Sequence, residues 1–191
     1  MKEARLSWFE RQLDLDPDSL VFPDETATNT KMARRYGRAP RGERCRVAVP
    51  FSHWKTITVT AGSRTRGLTA KARFDGPMTG ARCRGHVEEA LVPALRPGDT
   101  VVLGDLPAHK VSGIRARIEA AGARLLYPPA SSPAFNPIER AFAELKANLC
   151  AEAARTISGP LGHHPTSLQT LHVSRMPPLS RRRRLRRRNS A

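Results

Sequence analysis

Hydrophobic positions along the chain follow two rhythms, and the switches between them predict a group of strands followed by strand–helix units. Leu6, Phe9 and Leu13 recur at helical intervals, which predicts a short opening helix ending in the acidic turn Asp14 to Asp18. Ser19-Leu20-Val21-Phe22-Pro23-Asp24-Glu25 reads as a short apolar strand that stops in two carboxylates, with Pro23 marking its end or a sheet edge. Strands are then expected at Arg46 to Pro50, at Lys55 to Thr60, where β-branched residues dominate, and at Leu68 to Phe74. Turns at Gly62 to Gly67 and Asp75-Gly76-Pro77 separate them, as in an antiparallel meander. Beyond these the spacing becomes helical over Arg82 to Leu95, with Val87, Ala90, Leu91 and Leu95 on one face and Pro97-Gly98 as the stop. Thr100 to Leu103 and Arg124 to Tyr127 are two further apolar strands, with a helix from Ser112 to Ala121 between them. A last helix begins near Ile138 and carries Ala141, Phe142, Leu145 and Leu149. A meander feeding βα units describes an α/β fold, a mixed sheet with flanking helices.

That periodicity gives out near Ile157, and composition changes with it. From Ser158 to Ala191 there are eight arginines and no acid, so half of the net charge of +16 belongs to this tail and a body of net +8 precedes it. Residues 1–157 are therefore expected to form one domain, and residues 158–191 a basic, disordered tail. The charge points to a polyanionic partner, since lysine and arginine gain affinity for nucleic acid by releasing condensed counterions. Within the body, Arg34, Arg35, Arg38 and Arg41 lie in a basic, glycine- and proline-containing loop that runs on to Arg46, and are the leading candidates for contact with a DNA backbone. Trp54, beside Lys55 at a strand start, fits packing better than base stacking.

No apolar run is long enough for a bilayer, and Met1 to Arg5 lacks the apolar segment of a signal peptide, so a cytoplasmic location is expected. Cys45, Cys83 and Cys150 are too scattered for a metal knuckle or a disulfide framework. His163, His164 and His172 have no cysteine or acid near them to complete a metal site.

Three acids stand at the ends of predicted elements: Asp24 after the first strand, Asp105 after Thr100 to Leu103, and Glu139 at the start of the last helix. Converging carboxylates suit Mg2+, a hard cation with oxygen ligands. Two such ions about 3.5 to 4 Å apart activate the attacking oxygen and stabilise the leaving oxygen in displacement at phosphorus. Acids at strand ends also serve as caps or solvated turn residues, and composition does not choose between these roles.

Asp24-Glu25-Thr26, Pro40-Arg41-Gly42, His53-Trp54-Lys55-Thr56, Asp75-Gly76-Pro77, His109-Lys110 and above all Ser132-Pro133-Ala134-Phe135-Asn136-Pro137-Ile138-Glu139 form a recognisable series. From about Arg5 to Ile157 the chain resembles the DDE transposases of bacterial insertion sequences related to the Tc/mariner superfamily. The resemblance implies an RNase H-like fold, two Mg2+ or Mn2+ ions, cleavage and joining of DNA strands, transposon ends and target as DNA partners, and pairing of two copies. It implies a place with the nucleoid of a bacterial cytoplasm. It makes Asp24 the first metal-binding acid, Glu139 the third, and Asp105 a candidate for the second. Lys55, His109 and Lys110 become candidate contacts to DNA.

The second acid departs from the family pattern, apolar-apolar-Met-Asp-Asn-x-x-x-His-Lys. Here the row is Val101-Val102-Leu103-Gly104-Asp105-Leu106-Pro107-Ala108-His109-Lys110. Counted from His109 or from Glu139, the acid's place is held by Gly104; Asp105 stands one residue late, with 33 residues before Glu139. Successive strand side chains face opposite ways, so Asp105 is expected to point away from the other two acids. Ala130, Ser131 and Ala134 replace the family's proline, tyrosine and aspartate in the proline turn. The family's N-terminal helix-turn-helix is expected to be missing, and the tail reads as a frame-shifted sequence. Cleavage is therefore expected to be impaired; the competing readings are a catalytically inactive remnant that binds DNA non-specifically without cutting it, and a poorly folded pseudogene product with no function.

Overall fold

The structure is a computed structural model, and it describes residues 2–34, 36–49, 53, 55–130 and 132–152. The arginine-rich tail, Arg35 and Trp54 lie outside the described residues. Helix α1 (Lys2–Arg11) leads into the strands β1 (Leu20–Asn29), β2 (Thr56–Arg64) and β3 (Gly67–Asp75). Helix α2 (Gly80–His86) continues through a wide π turn (Val87–Leu91) into the short α3 (Val92–Ala94). Then come β4 (Thr100–Val102), α4 (Ile114–Ala120), β5 (Arg124–Leu126) and α5 (Ile138–Glu152). The strands form one five-stranded sheet in the order β3-β2-β1-β4-β5. β1–β2 and β2–β3 are antiparallel, whereas β1–β4 and β4–β5 are parallel. This is the mixed sheet of meander and βα units that the patterning predicts.

Three expectations need correction. β1 does not stop at the carboxylates; it runs on to Asn29, so Asp24 and Glu25 lie in mid-strand. Pro23 is tolerated there because the parallel ladder to β4 ends at Val21, so no partner strand needs its missing amide on that side. The expected strand at Arg46 to Pro50 is not formed by Arg46 to Val49: these residues have no regular structure, and among the described residues no apolar layer covers the exposed Val47 and Val49. The first strand of the meander is β1 instead. Finally, β2 passes through Gly62 to Arg64, and the hairpin turns at Thr65-Arg66. Glycine suits position 62 because a Cβ there would sit 3.2 Å from Thr69 and 3.3 Å from Val21.

The register assigns the two faces of β1. Asp24 pairs with Ala61 and Phe22 with Ser63, so even-numbered β1 residues share a face with Ile57, Val59 and Ala61 of β2. That face is covered by α5, whose Ile138, Phe142, Leu145 and Leu149 recur at helical spacing and are all buried. α1 covers its other end, with Trp8 packed on Leu20, Phe22 and Val102. The opposite face carries Val21, Val101, Leu103 and Leu125 under Val87, Leu91, Ile114 and Ile118. Asp24 and Glu25, neighbours in sequence, therefore serve opposite faces of the sheet.

Candidate active site

Asp24 points toward the start of α5. Asn136 donates from Nδ2 to Asp24 Oδ2 at 2.6 Å, across 112 residues of sequence, and the Glu25 amide donates to Asp24 Oδ1 at 2.8 Å. The other end of the Asn136 amide accepts from the Ile138 N–H at 3.3 Å, satisfying one of the free amides of the first turn of α5. One side chain thus ties Asp24 to the helix that carries Glu139. Glu139, exposed in that first turn, is close enough for its charge to act on Asp24. Burial pushes the Asp24 carboxyl up to about 6; the Glu25 amide opposes the rise, and the charges of Glu25 and Glu139 add to it. α1 braces the same turn, since Arg5 Nε donates to Ser132 Oγ at 3.1 Å.

Asp105 does not join this pair. β4 ends at Val102, and the Asp105 carboxylate forms an ion pair with Lys110 Nζ at 2.5 Å. Among the described residues no group of three or more His, Cys, Asp or Glu side chains is placed to hold a metal ion. The residues present here are the Asp24 carboxylate tied to the start of α5, the Glu139 carboxylate near enough for its charge to act on Asp24, and a glycine at position 104.

A Cβ at Gly104 would lie 3.2 Å from His109 Nδ1 and 3.3 Å from Cε1. His109 is only 1% exposed. Its Nδ1 donates to the Gly104 carbonyl at 2.8 Å and its Nε2 to Glu25 Oε2 at 2.9 Å. The carbonyl can only accept, so Nδ1 carries a proton; opposite an ionised Glu25, Nε2 carries the second. Burial disfavours that charge, but the Glu25 hydrogen bond and charge outweigh it and hold the pKa above the usual histidine value. His109, expected at DNA, is thus a buried bridge with no ring donor left for a phosphate. Lys110 is half-exposed but engaged with Asp105 and lies near the Tyr127 ring. Arg34, Arg38, Arg41 and Lys55 are exposed and free of the core, in the connection from β1 to β2 and at its end.

Two groups at this site went without a role in the sequence reading, Glu25 and Asn136. Both stand inside the motifs quoted above, yet their partners lie 84 and 112 residues away, a distance no local pattern reports.

A family profile described as DDE superfamily endonuclease matches residues 19–158. The chain belongs to this family. Among solved structures, a Mos1 transposase paired-end complex with left transposon end is similar at 18% identity and TM-score 0.63, covering 78% of this chain and 47% of that one. The Mos1 mariner paired-end complex with Mn aligns at 19% identity and TM-score 0.64, again over 78% and 47% of the two chains. The isolated Mos1 mariner catalytic domain aligns at 15% identity and TM-score 0.54, over 79% of this chain and 70% of that one. The likeness is one of fold, the RNase H-like sheet of the DDE endonucleases. The chain spans about half the length of the transposase chains in the paired-end complexes. A search of curated proteins found no matching relative. Among the described residues, no helix is long and apolar enough to cross a membrane.

Proposed function

We propose that this DDE endonuclease domain is the catalytic domain of a DNA transposase of the bacterial insertion-sequence type, with strand cleavage impaired by the loss of the second acid at Gly104. The observation that supports the reading is the Asn136–Asp24 hydrogen bond, which ties Asp24 to the start of α5, the helix that carries Glu139. Structure spent on tying a half-buried acid, charged only at a cost, to the helix start that carries another is characteristic of a site and not of a solvated turn. Asp24 and Glu139 are the metal-binding acids of this reading, with Asp105, paired with Lys110, the displaced candidate for the second. When bound, two Mg2+ or Mn2+ ions would activate the attacking oxygen and stabilise the leaving one. The chain's own contribution is to hold the carboxylates at fixed separation and to bring DNA to them.

Arg34, Arg38, Arg41 and Lys55, with Arg35, supply backbone contacts, and transposon-end and target DNA are the proposed partners, handled by two copies of the chain. The location that fits is the nucleoid of a bacterial cytoplasm.

The test is nicking of a labelled duplex in Mn2+ by the chain, by Gly104→Asp, and by Gly104→Asp with Glu139→Ala. The chain itself is expected to cut at least about a hundredfold more slowly than Gly104→Asp, a barrier difference of about 2.7 kcal/mol. Glu139→Ala should abolish the gain. Efficient cutting by the unaltered chain that vanishes in Asp105→Ala would show that Asp105 is the working second acid.

A further inference from the structure

The second-acid position has a built support that the reading above leaves unused. Residue 104 follows a three-residue strand, and β4 holds β1 through only two register pairs, Leu20 with Thr100 and Val21 with Val101. Beyond these pairs, nothing in the sheet ladder sets the distance between Asp24 on β1 and the chain at 104. His109 does so instead. It takes the Gly104 carbonyl on one side and the Glu25 carboxylate, next to Asp24, on the other. The loop that presents it is held in turn: the His109 amide donates to Leu106 O at 2.9 Å, and Tyr127 Oη, just past β5, donates to His109 O at 3.3 Å. A buried imidazole and a largely buried carboxyl group are expensive to desolvate, and they are bonded to each other. An apolar pair would fill the space at less cost, which points to a geometric role.

We propose that Glu25 and His109 are positioning residues: a strut through the sheet that fixes residue 104, the place of the second acid, relative to Asp24. The proposal rests on the DDE reading of the site for its functional meaning, while the strut itself can be tested without metal or DNA.

The first measurement is hydrogen exchange of the full chain, comparing Glu25→Ala, Glu25→Gln and His109→Gln with the parent. His109→Gln can reach Glu25 but not the Gly104 carbonyl, whereas Glu25→Gln still accepts from Nε2. Amides from 103 to 111 are expected to exchange about tenfold faster or more in Glu25→Ala, as loss of a hydrogen bond between charged groups implies. Glu25→Gln should recover part of the protection, and amides of the β2–β3 hairpin should be unchanged. Equal exchange in all variants, or acceleration spread evenly over the sheet, would overturn the strut. The second measurement is Mn2+ affinity in Gly104→Asp with and without Glu25→Ala. A loss of about tenfold is expected, and an unchanged affinity overturns the positioning role. If Gly104→Asp takes up no Mn2+, the metal reading of the site fails, while the exchange measurement still decides the strut.

Discussion

Removing the Asn136 side chain isolates the contact that joins the two remaining acids. In Asn136→Ala, Asp24 Oδ2 loses a donor at 2.6 Å and the Ile138 amide loses its acceptor at 3.3 Å. At pH 8 Asp24 is largely ionised, since its pKa is about 6, so the first bond is charge-assisted and worth about 1.5–3 kcal/mol. The second is a helix-start bond of about 1 kcal/mol. Water reaches the exposed Glu139 side and replaces part of both, which leaves an expected loss of about 2–3 kcal/mol. For a domain of this size that lowers Tm by about 6–9 °C, read from a circular-dichroism melt. Asn136→Asp separates the two bonds. It keeps an acceptor for Ile138 but puts a carboxylate against Asp24, and two acids at that distance share one proton. Its destabilisation should exceed that of Asn136→Ala at pH 8 and fall below it at pH 4. A Tm within about 1 °C of the parent for Asn136→Ala, or no pH dependence for Asn136→Asp, would refute the coupling.

Three further outcomes follow from the same structure. Because the raised Asp24 pKa means that ionisation opposes folding, its favourable contribution is complete below its ordinary 3.8 and is lost as pH rises through about 6; Asp24→Asn should stabilise the metal-free chain by at most about 3 kcal/mol at pH 8 and by little at pH 4, as urea titrations at the two pH values would show. The largely buried Arg64 guanidinium donates to both oxygens of the buried Asp99, at 2.5 and 3.1 Å, and to Ala94 O; Arg64→Met should cost about 3–5 kcal/mol in the same titration, and Arg64→Met with Asp99→Leu should recover part of it. Duplex DNA binding, followed by fluorescence anisotropy, should weaken steeply with salt, and Arg34→Ala/Arg38→Ala/Arg41→Ala should reduce the slope of log K against log salt by up to about 3 without changing sequence preference.

Much of this architecture is legible in the order of residues, and the reason is local. The apolar spacing of α5 places Phe142, Leu145 and Leu149 on one face whatever they pack against, and the β-branched run of β2 favours a strand on either side of a sheet. The motif around Asn136-Pro137-Ile138-Glu139 and the glycine at 104, where the resemblance expects an acid, are likewise visible in the row itself. Where local signals mislead, the cause is a partner they cannot see. Pro23 stays inside β1 because β4 ends short of it, and Arg46 to Val49 stays out of the sheet although its valines alternate. His109, polar and beside a lysine, reads as a surface residue until Glu25 and the Gly104 carbonyl neutralise the cost of burying it. The same holds for the acids. Sequence determines which carboxylates exist and on which face of a strand each can stand, since alternation is a property of the backbone. Which of them meet, Asp24 with the helix of Glu139 and Asp105 with Lys110, depends on contacts between segments far apart in the chain, and those are set only when the sheet and helices pack.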